Sequence, residues 1–367
     1  MNRREAFRTL GLGGLGLLVP WQLSAANPMP GQAISGTLRL GANENPYGPS
    51  PAAREAMKNY MLEGNRYPFQ LSQELISLIA DRNDLGENQV LLGAGSSELL
   101  LNAASWALEA GLPVVSADPV FPIFGRYVER FGGAVTHIPL NAKKEHDLDR
   151  MLKATQETPG MVYIVNPNNP TGTLLDRQKL LDFVTEASKS SYVLLDEAYT
   201  EFVDPNYGNS LMKEVNNNPK LIVLRTFSKV FGIAGMRMGY AMAHPDTLRK
   251  FSSYQIWPNA SANAAAIGGA IACLEDNAFV NMTIEKNTVA KQHVYDTLDQ
   301  MNIRYIPSYT NFMIFDLKGY EGQFKSDMAK QNILLQQVQD NDELWCRLSI
   351  GKLEEMMQFT QKLKQLW

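Results

Sequence analysis

One segment of the chain places a lysine next to groups that bind phosphate. Residues 224–239 read LRTFSKVFGIAGMRMG, so Lys229 follows the hydroxyl residues Thr226 and Ser228 and precedes Arg237. A lysine amine in a loop can form an imine with an aldehyde. The hydroxyls and the guanidinium group can bind a phosphate, the latter through charge-assisted hydrogen bonds. Taken alone, the segment also fits an ordinary surface lysine.

A second segment ends an apolar strand with a carboxylate. Residues 192–195 are YVLL, Asp196 follows them, and Tyr199 lies three residues further on. A carboxylate at a strand end can pair with a protonated pyridine nitrogen, which helps the ring to accept electrons. Tyr199 can hydrogen-bond a hydroxyl group on the same ring. The alternative for Asp196 is a helix N-cap.

Two further segments supply polar groups in turns. Residues 166–172, NPNNPTG, follow an apolar strand, and Asn169 can donate to a phenolic oxygen. A plain turn is the alternative. Residues 93–98, GAGSSE, combine glycines with Ser96 and Ser97 at the predicted start of a helix, where free N–H groups bind anions. A plain serine N-cap is compatible with this interpretation.

Short apolar strands alternate with helices around these segments. Strands are predicted at 90–92, 114–116, 161–165, 192–195 and 221–224, and helices at 51–62, 71–83, 96–110, 123–131 and 176–188. This alternation predicts an α/β fold with a mostly parallel sheet and helices on both faces. Ligands bind at the carboxyl ends of such strands, which is where the four segments lie.

The pattern changes from about residue 259. A long helical stretch (260–301) precedes shorter strands (312–316, 333–338 and 345–350) and a last helix (353–366). We therefore predict an arm at 27–50, a large domain at 51–258 and a smaller α+β domain at 259–367.

The first 26 residues differ from the rest of the chain. Arg3, Arg4 and Arg8 precede an apolar stretch, residues 10–18, and small residues follow at 24–26. That order predicts a secretory signal, and the adjacent arginines indicate the twin-arginine type. Export to the periplasm is the expectation. A leader that stays attached, and a cytoplasmic location, are the alternatives.

Composition excludes other classes of protein. The formal net charge is −4, so no basic field favours a nucleic-acid partner. Cys273, Cys346 and the four histidines lack metal-ligand spacing, and no metal site is predicted. Both cysteines are expected to be buried thiols.

Together, the motifs show a resemblance that covers nearly the whole chain after residue 26. The chain resembles the fold-type I pyridoxal-phosphate aminotransferases of class I and II, most closely their histidinol-phosphate aminotransferase branch. The matching motifs are NENPYGPS (43–50), RYP (66–68), GAGSSE (93–98), NPNNPTG (166–172), DEAY (196–199), TFSK (226–229) and CRLSIG (346–351).

The resemblance implies a bound pyridoxal 5'-phosphate. Lys229 would hold it covalently, Asp196 would face the pyridine nitrogen, and Asn169 and Tyr199 would bind the ring oxygen. The residues that match phosphate ligands are Ser96, Ser97, Thr226, Ser228 and Arg237.

The resemblance also implies contacts beyond the ring's polar groups. Phe121 matches the aromatic residue that stacks on the cofactor. Tyr67 matches a tyrosine that reaches the phosphate of a neighbouring subunit, so a homodimer is implied. Arg347 matches the arginine that binds the substrate's carboxylate or phosphate, and Asn45 and Asn311 lie in segments on the substrate side.

The implied activity moves an amino group from an amino acid or an amino-alcohol phosphate to a 2-oxo acid, with Lys229 also acting as the base at Cα. Residues 27–42 lack a tyrosine that the branch uses to hold a phosphorylated substrate. An aromatic or other amino acid is therefore an alternative donor, and a decarboxylase or lyase on the same scaffold is an alternative enzyme.

Overall fold

The computed structural model describes residues 36–208 and 210–367, and the chain from Leu38 to Trp367 forms one compact unit. The predicted signal segment, residues 1–26, lies outside the described residues. Among the helices in these ranges, none is long and apolar enough to cross a membrane.

Seven of the described strands form the central sheet. Its strands are β2 (Val90–Gly93), β3 (Val114–Asp118), β4 (Val135–Pro139), β5 (Met161–Val165), β6 (Tyr192–Asp196), β7 (Leu221–Thr226) and β8 (Gly239–Ala243). Their spatial order is β2-β8-β7-β6-β5-β3-β4. Only β8 runs antiparallel to its neighbours, β2 and β7, so the predicted mostly parallel sheet is confirmed.

Strands β4 and β8 were not predicted, because neither has the expected composition. Strand β8 reads GYAMA, in which glycine and alanine are poor strand formers. Strand β4 is mostly exposed or half-buried, and its sequence, VTHIP, is not continuously apolar. Pairing with neighbouring strands, rather than local propensity, fixes both.

Alternate side chains of the central strands enter two different hydrophobic cores. Val193 and Leu195 belong to one core, whereas Leu194 belongs to the other, and all three are fully buried. Because successive side chains point to opposite faces of a strand, the sheet is covered on both faces. This burial explains why the strand sequences are continuous apolar runs.

Five helices of this region lie close to their predicted bounds, whereas the two at 148–157 and 245–252 were not predicted. Helix α1 begins after Ser50, whose hydroxyl accepts from the N–H of Ala53 at 3.1 Å, as the Ser-Pro signal predicts. The helices are α1 (Pro51–Met61), α2 (Phe69–Arg82), α3 (Ser96–Glu109), α4 (Ile123–Arg130), α5 (Leu148–Glu157), α6 (Arg177–Ala187) and α7 (Pro245–Ser252).

The predicted single helix over 260–301 is wrong. The chain forms α8 (Ala264–Glu275) and α9 (Asn277–Gln300), which are separated by Asp276. Asp276 has φ −96° and ψ 67°, and its carboxylate accepts from the N–H of Phe279 at 3.0 Å. A side-chain cap therefore starts a new helix within the apolar pattern.

The predicted strand over 333–338 is divided into two strands that pair with different partners. Strand β11 (Ile333–Leu334) pairs in parallel with β1 (Leu38–Arg39), whereas β12 (Gln336–Asp340) pairs antiparallel with β13 (Glu343–Ser349). The two parts of the predicted strand therefore belong to different sheets.

A second, antiparallel sheet has the order β12-β13-β10-β9, with β9 at Tyr305–Ile306 and β10 at Phe312–Asp316. It packs with α9 and α11 (Leu353–Leu366) around a third hydrophobic core. Helix α10 spans Phe324–Lys330 and contributes Phe324 and Met328 to the same core. Cys273 and Cys346 are buried and form no disulfide. The domain boundary at residue 259 stays a prediction.

Candidate active site

The carboxyl ends of three adjacent parallel strands bring the predicted reactive residues to one edge of the sheet. Asp196 is the last residue of β6, and it pairs with Val165 of β5 and Leu224 of β7. Asn169 follows β5 and Lys229 follows β7, both within a few residues of the strand end. The parallel topology therefore positions these side chains together.

Asp196 carries an almost completely buried carboxylate group. It is 2% exposed, and its oxygens accept from the N–H of Ala198 at 3.0 Å and the hydroxyl of Tyr163 at 3.3 Å. Burial raises the pKa of Asp196 to about 6, although both hydrogen bonds and the charge of Lys229 act in the opposite direction. A cation beside it would favour the ionised form.

Tyr199 connects the strand ends to the N-terminal arm. Its hydroxyl accepts from Nδ2 of Asn43 at 3.0 Å and from Nδ2 of Asn169 at 3.3 Å. The Nζ atom of Lys229 lies 5.2 Å from the centroid of the tyrosine ring. The ring itself meets the edge of Phe312 at a centroid distance of 5.1 Å. Lys229, Asn169 and Tyr199 thus converge, as predicted.

Hydroxyl groups and a guanidinium group converge on the next part of the edge. Arg237 donates to the hydroxyl of Ser228 at 3.3 Å and to that of Ser97 at 3.5 Å. The hydroxyl of Thr226 donates to that of Ser228 at 2.9 Å. We name this set the anion cradle (Ser97, Thr226, Ser228 and Arg237). Its donors and its positive charge suit a phosphate group.

The N-terminus of α3 completes the anion cradle, and a serine N-cap is not what the structure shows there. Gly95 is the N-cap, with φ 76°, and no side chain caps the helix, so Ser96 begins it. Glu98 instead accepts from the N–H of Ala94 at 2.5 Å. Because a Cβ atom on Gly95 would lie 2.3 Å from Nη2 of Arg237, the backbone and the guanidinium group are in close contact.

Arg347 lies on β13 with part of its guanidinium group unpaired. Its Nη1 donates to Oδ1 of Asn169 and its Nη2 to the carbonyl of Gly41, both at 2.9 Å. Its Nε is buried and has no partner among the described residues. Burial lowers the pKa of Arg347. A buried cation without a carboxylate partner is costly unless an anion binds there.

The predicted substrate-side asparagines tie segments together. Nδ2 of Asn45 donates to the carbonyl of Val230 at 2.7 Å, which joins the arm to the loop that carries Lys229. Nδ2 of Asn311 donates to the carbonyl of Asn43 at 3.0 Å. Their main contacts are thus to backbone groups that surround the site.

Phe121 and Tyr67 lie apart from this network in the described part of the single chain. Phe121 is half-buried and packs against the core on one face of the sheet. Tyr67 is 72% exposed and stacks on Phe69, with Trp257 beside both rings. Their predicted contacts with the cofactor stay predictions.

Several residues of this site were not predicted from the sequence. Asn43 binds Tyr199, yet within the motif at 43–50 only Asn45 was singled out. Tyr163 lies in the apolar strand β5. Its hydroxyl group, which needs a hydrogen-bond partner when it is buried, is the signal that could have indicated it. Glu197, next to Asp196, accepts from Arg225 at 3.0 Å and 3.1 Å, and its charge raises the Asp196 pKa.

The fold and this site define a protein class. The sequence profile of the family described as Aminotransferase class I and II matches residues 35–363, and the chain belongs to this family. Histidinol-phosphate aminotransferase 2 of Nitrosospira multiformis is 33% identical over 88% of this chain and 84% of its own length. Histidinol-phosphate aminotransferase 1 of Bacillus cereus is 32% identical over 91% and 90%.

A solved structure gives the same result. Histidinol-phosphate aminotransferase from Sinorhizobium meliloti, crystallised with pyridoxal-5'-phosphate, has a TM-score of 0.83 and 25% identity, covering 90% of each chain. The chain is thus a pyridoxal-phosphate-dependent aminotransferase that resembles the histidinol-phosphate branch, with an amino donor and a 2-oxo acid as its substrates.

The side chains present fit this cofactor. The edge of the sheet offers an amine at Lys229, a buried carboxylate at Asp196 whose raised pKa a cationic partner would lower, and the anion cradle. These three groups match an aldehyde, a pyridine nitrogen and a phosphate.

Proposed function

We propose that the chain transaminates a donor that carries an anionic group near its amine, with histidinol phosphate as the first candidate. The observation that carries this proposal is the pattern of contacts of the Arg347 guanidinium group. Its guanidinium group contacts Asn169, and its buried Nε has no partner within residues 36–208 and 210–367. The names of the relatives favour a phosphate as the anion, and a bidentate guanidinium contact suits phosphate or carboxylate.

Most of the predicted residues would have a part in this function. Bound pyridoxal phosphate would supply an aldehyde for the amino group and an electron-withdrawing ring. Lys229 would hold it, and the freed Nζ of Lys229 would accept the proton from the donor's Cα. Asp196 would face the ring nitrogen and favour its protonated form, while Asn169 and Tyr199 would bind the ring oxygen. The anion cradle and Ser96 would bind the phosphate, and Phe121 would contact the ring.

A donor amino acid is the second candidate. Residues 27–42 contain no tyrosine, whereas the resemblance leads us to expect one that holds a phosphorylated substrate. An aromatic or other amino acid would place its carboxylate on Arg347 in the same way.

The homodimer is also part of the proposal. An exposed apolar patch, here named the aromatic patch, consists of Tyr67, Phe69, Ile256 and Trp257, which are between 50% and 107% exposed. Exposed patches of this kind mark protein–protein interfaces. A second copy of the chain on the aromatic patch would bring Tyr67 to the neighbouring site.

For the leader, we propose export through the twin-arginine route, which moves folded proteins and so permits cofactor loading before export. N-terminal sequencing of protein from separated cell fractions tests this proposal. A periplasmic chain that begins near residue 27 is expected, and a cytoplasmic chain that keeps its first residues contradicts it.

A donor screen tests the main proposal. Purified holoenzyme is mixed with histidinol phosphate, phenylalanine, tyrosine or glutamate, and conversion of the bound cofactor to its amine form is followed by absorbance. Histidinol phosphate should react with the highest kcat/KM, and Arg347→Gln should lower that value by about 100-fold, as expected for a lost charge-assisted contact. A clear preference for an amino acid favours the second candidate.

A further inference from the structure

A row of polar side chains on α9 faces the segment that leads into β10. Asn287, Lys291 and Tyr295 are four residues apart, so they lie on one face of the helix. Asn287 and Lys291 are buried, 6% and 9% exposed. We name these three residues the α9 polar row.

Each member of the α9 polar row binds the backbone of residues 308–310. Nζ of Lys291 donates to the carbonyl of Ser308 at 2.7 Å and to that of Thr310 at 2.9 Å. The hydroxyl of Tyr295 accepts from the N–H of Ser308 at 2.8 Å. Nδ2 of Asn287 donates to the carbonyl of Thr310 at 3.4 Å. Three turns of one helix thus hold one short segment.

The held segment contacts the loop that carries Asn169. The N–H of Tyr309 donates to the carbonyl of Gly172 at 2.8 Å. Gly172 has φ 76°, and a Cβ atom there would lie 2.4 Å from Oγ of Ser308. The two loops are therefore in direct contact, and a shift of one must move the other.

The same segment ends in residues that reach the other side of the site. Asn311 donates to the carbonyl of Asn43, which in turn binds the hydroxyl of Tyr199. Phe312 meets the ring of Tyr199 at 5.1 Å, and the guanidinium carbon of Arg347 lies 5.8 Å from the centroid of Phe312. The position of residues 308–312 thus affects several walls of the site.

A buried lysine is an unusual choice for this task. Burial penalises its charged form and lowers the pKa of Lys291 to about 8. An apolar residue would avoid this penalty but would leave the carbonyl of Ser308 without this donor and that of Thr310 with the longer bond from Asn287, which also costs free energy. Lys291 satisfies both carbonyls from one atom, so it fixes their spacing.

We propose that the α9 polar row is a positioning device for the substrate side of the active site, with Lys291 as its main positioning residue. This inference rests on the proposed function, since it concerns binding of the amino donor. Lys291 does not touch the reacting atoms. It holds residues 308–312, which pack against Tyr199, Arg347 and the loop of Asn169.

The test compares Lys291→Met with Gln292→Met, an exposed position on the same helix. Both holoenzymes are assayed for the KM of the best donor, kcat and the dissociation constant of pyridoxal phosphate. Lys291→Met should raise the donor KM about tenfold, as expected for lost hydrogen bonds from a charged group. Cofactor affinity should change less than the donor KM, because Asp196 ends β6 and Lys229 and Arg237 lie between β7 and β8. Gln292→Met should match wild type.

A second variant and a second measurement keep the inference testable. Tyr295→Phe removes the acceptor for Ser308 but keeps the ring that stacks on Tyr305, so it should raise the donor KM less, in the same direction. It decides the question if Lys291→Met does not fold. An unchanged donor KM in a folded variant overturns the inference.

Amide hydrogen exchange separates failure of this inference from failure of the proposed function, because it needs no donor. In Lys291→Met or Tyr295→Phe holoenzyme, residues 308–312 should exchange faster than in wild type, while β5 and β6 should not change. Equal exchange rates at 308–312 overturn the inference, whatever the donor proves to be.

Discussion

At Asp196, the folded chain holds a carboxyl group whose surroundings oppose its ionisation. Burial is the largest cause, and the adjacent charge of Glu197 adds to it. The folded-state pKa of about 6 lies above the ordinary value of 3.8, so the folded protein binds this proton more tightly than the unfolded chain does. The stabilisation is complete below the unfolded pKa and is lost as the pH rises through the folded pKa.

This linkage predicts the behaviour of Asp196→Asn in cofactor-free protein. The amide cannot ionise, so the variant should gain stability relative to wild type as the pH rises. Between pH of about 5 and about 7.5, the gain should be about 1.4 kcal/mol, since one pKa unit corresponds to 1.36 kcal/mol. Denaturant unfolding at both pH values measures the free energy of unfolding of the variant and of wild type. A difference between the two proteins that does not change with pH would count against the raised pKa.

The sequence located the reactive residues well where one local motif carries them. Asp196 ends a strand and Lys229 and Asn169 each follow one, so the predicted topology brings them to one edge of the sheet. Asn43 could not be found in this way, because its partner Tyr199 lies 156 residues further along the chain. Arg347 was predicted only through the family resemblance, because its contact with Asn169 spans 178 residues.

At the scale of elements, the start of α3 and the turn before β8 form the anion cradle by close approach. Gly95 has a positive φ that favours glycine, and the nearest atom to a Cβ at that position is Nη2 of Arg237. A side chain at Gly95 must therefore displace the guanidinium group from Ser97 and Ser228. The close approach of α3 to the turn before β8 thus depends on a glycine at position 95.

Gly95→Ala should weaken cofactor binding. Loss of the aligned guanidinium contact is expected to raise the dissociation constant of pyridoxal phosphate by about 10- to 100-fold. Titration of the cofactor-free protein, followed by absorbance, measures this change. Gly235→Ala is the matched control, since a Cβ there meets open space. Equal affinities for both variants would show that Gly95 is not needed for the anion cradle.

Element boundaries were predictable where propensity and capping agree, and not elsewhere. Ser50 and Pro51 mark the start of α1 in the sequence as clearly as in the structure. Asp276 interrupts an otherwise helical pattern, and only its side-chain contact with Phe279 shows that a new helix begins. Strand β8 exists because β2 and β7 pair with it, which no local pattern reveals.

At the scale of the whole molecule, the proposed dimer would connect the aromatic patch with the active site of the neighbouring subunit. Trp257 is 50% exposed and contacts both Tyr67 and Phe69. An interface between two copies would remove these rings from water, which favours the proposed dimer. The predicted role of Tyr67 at the neighbouring site requires that dimer.

Trp257→Glu should therefore dissociate the protein and lower its activity by at least about tenfold, because a charge buried in an apolar interface has no partner. Light scattering coupled to size-exclusion chromatography measures the mass. Phe131→Glu is the control, since Phe131 is an exposed aromatic residue, 58% exposed, outside the aromatic patch. A wild-type monomer, or a Trp257→Glu dimer with full activity, would contradict the dimer proposal.

Chemical trapping tests whether the amine of Lys229 holds the cofactor. Holoenzyme is reduced with borohydride, digested and analysed by mass spectrometry, with Lys229→Ala as the comparison. A pyridoxyl group is expected on Lys229, and the variant should carry none and lose transamination by several orders of magnitude. A wild-type protein with bound cofactor but no adduct at Lys229 would contradict the account of this site.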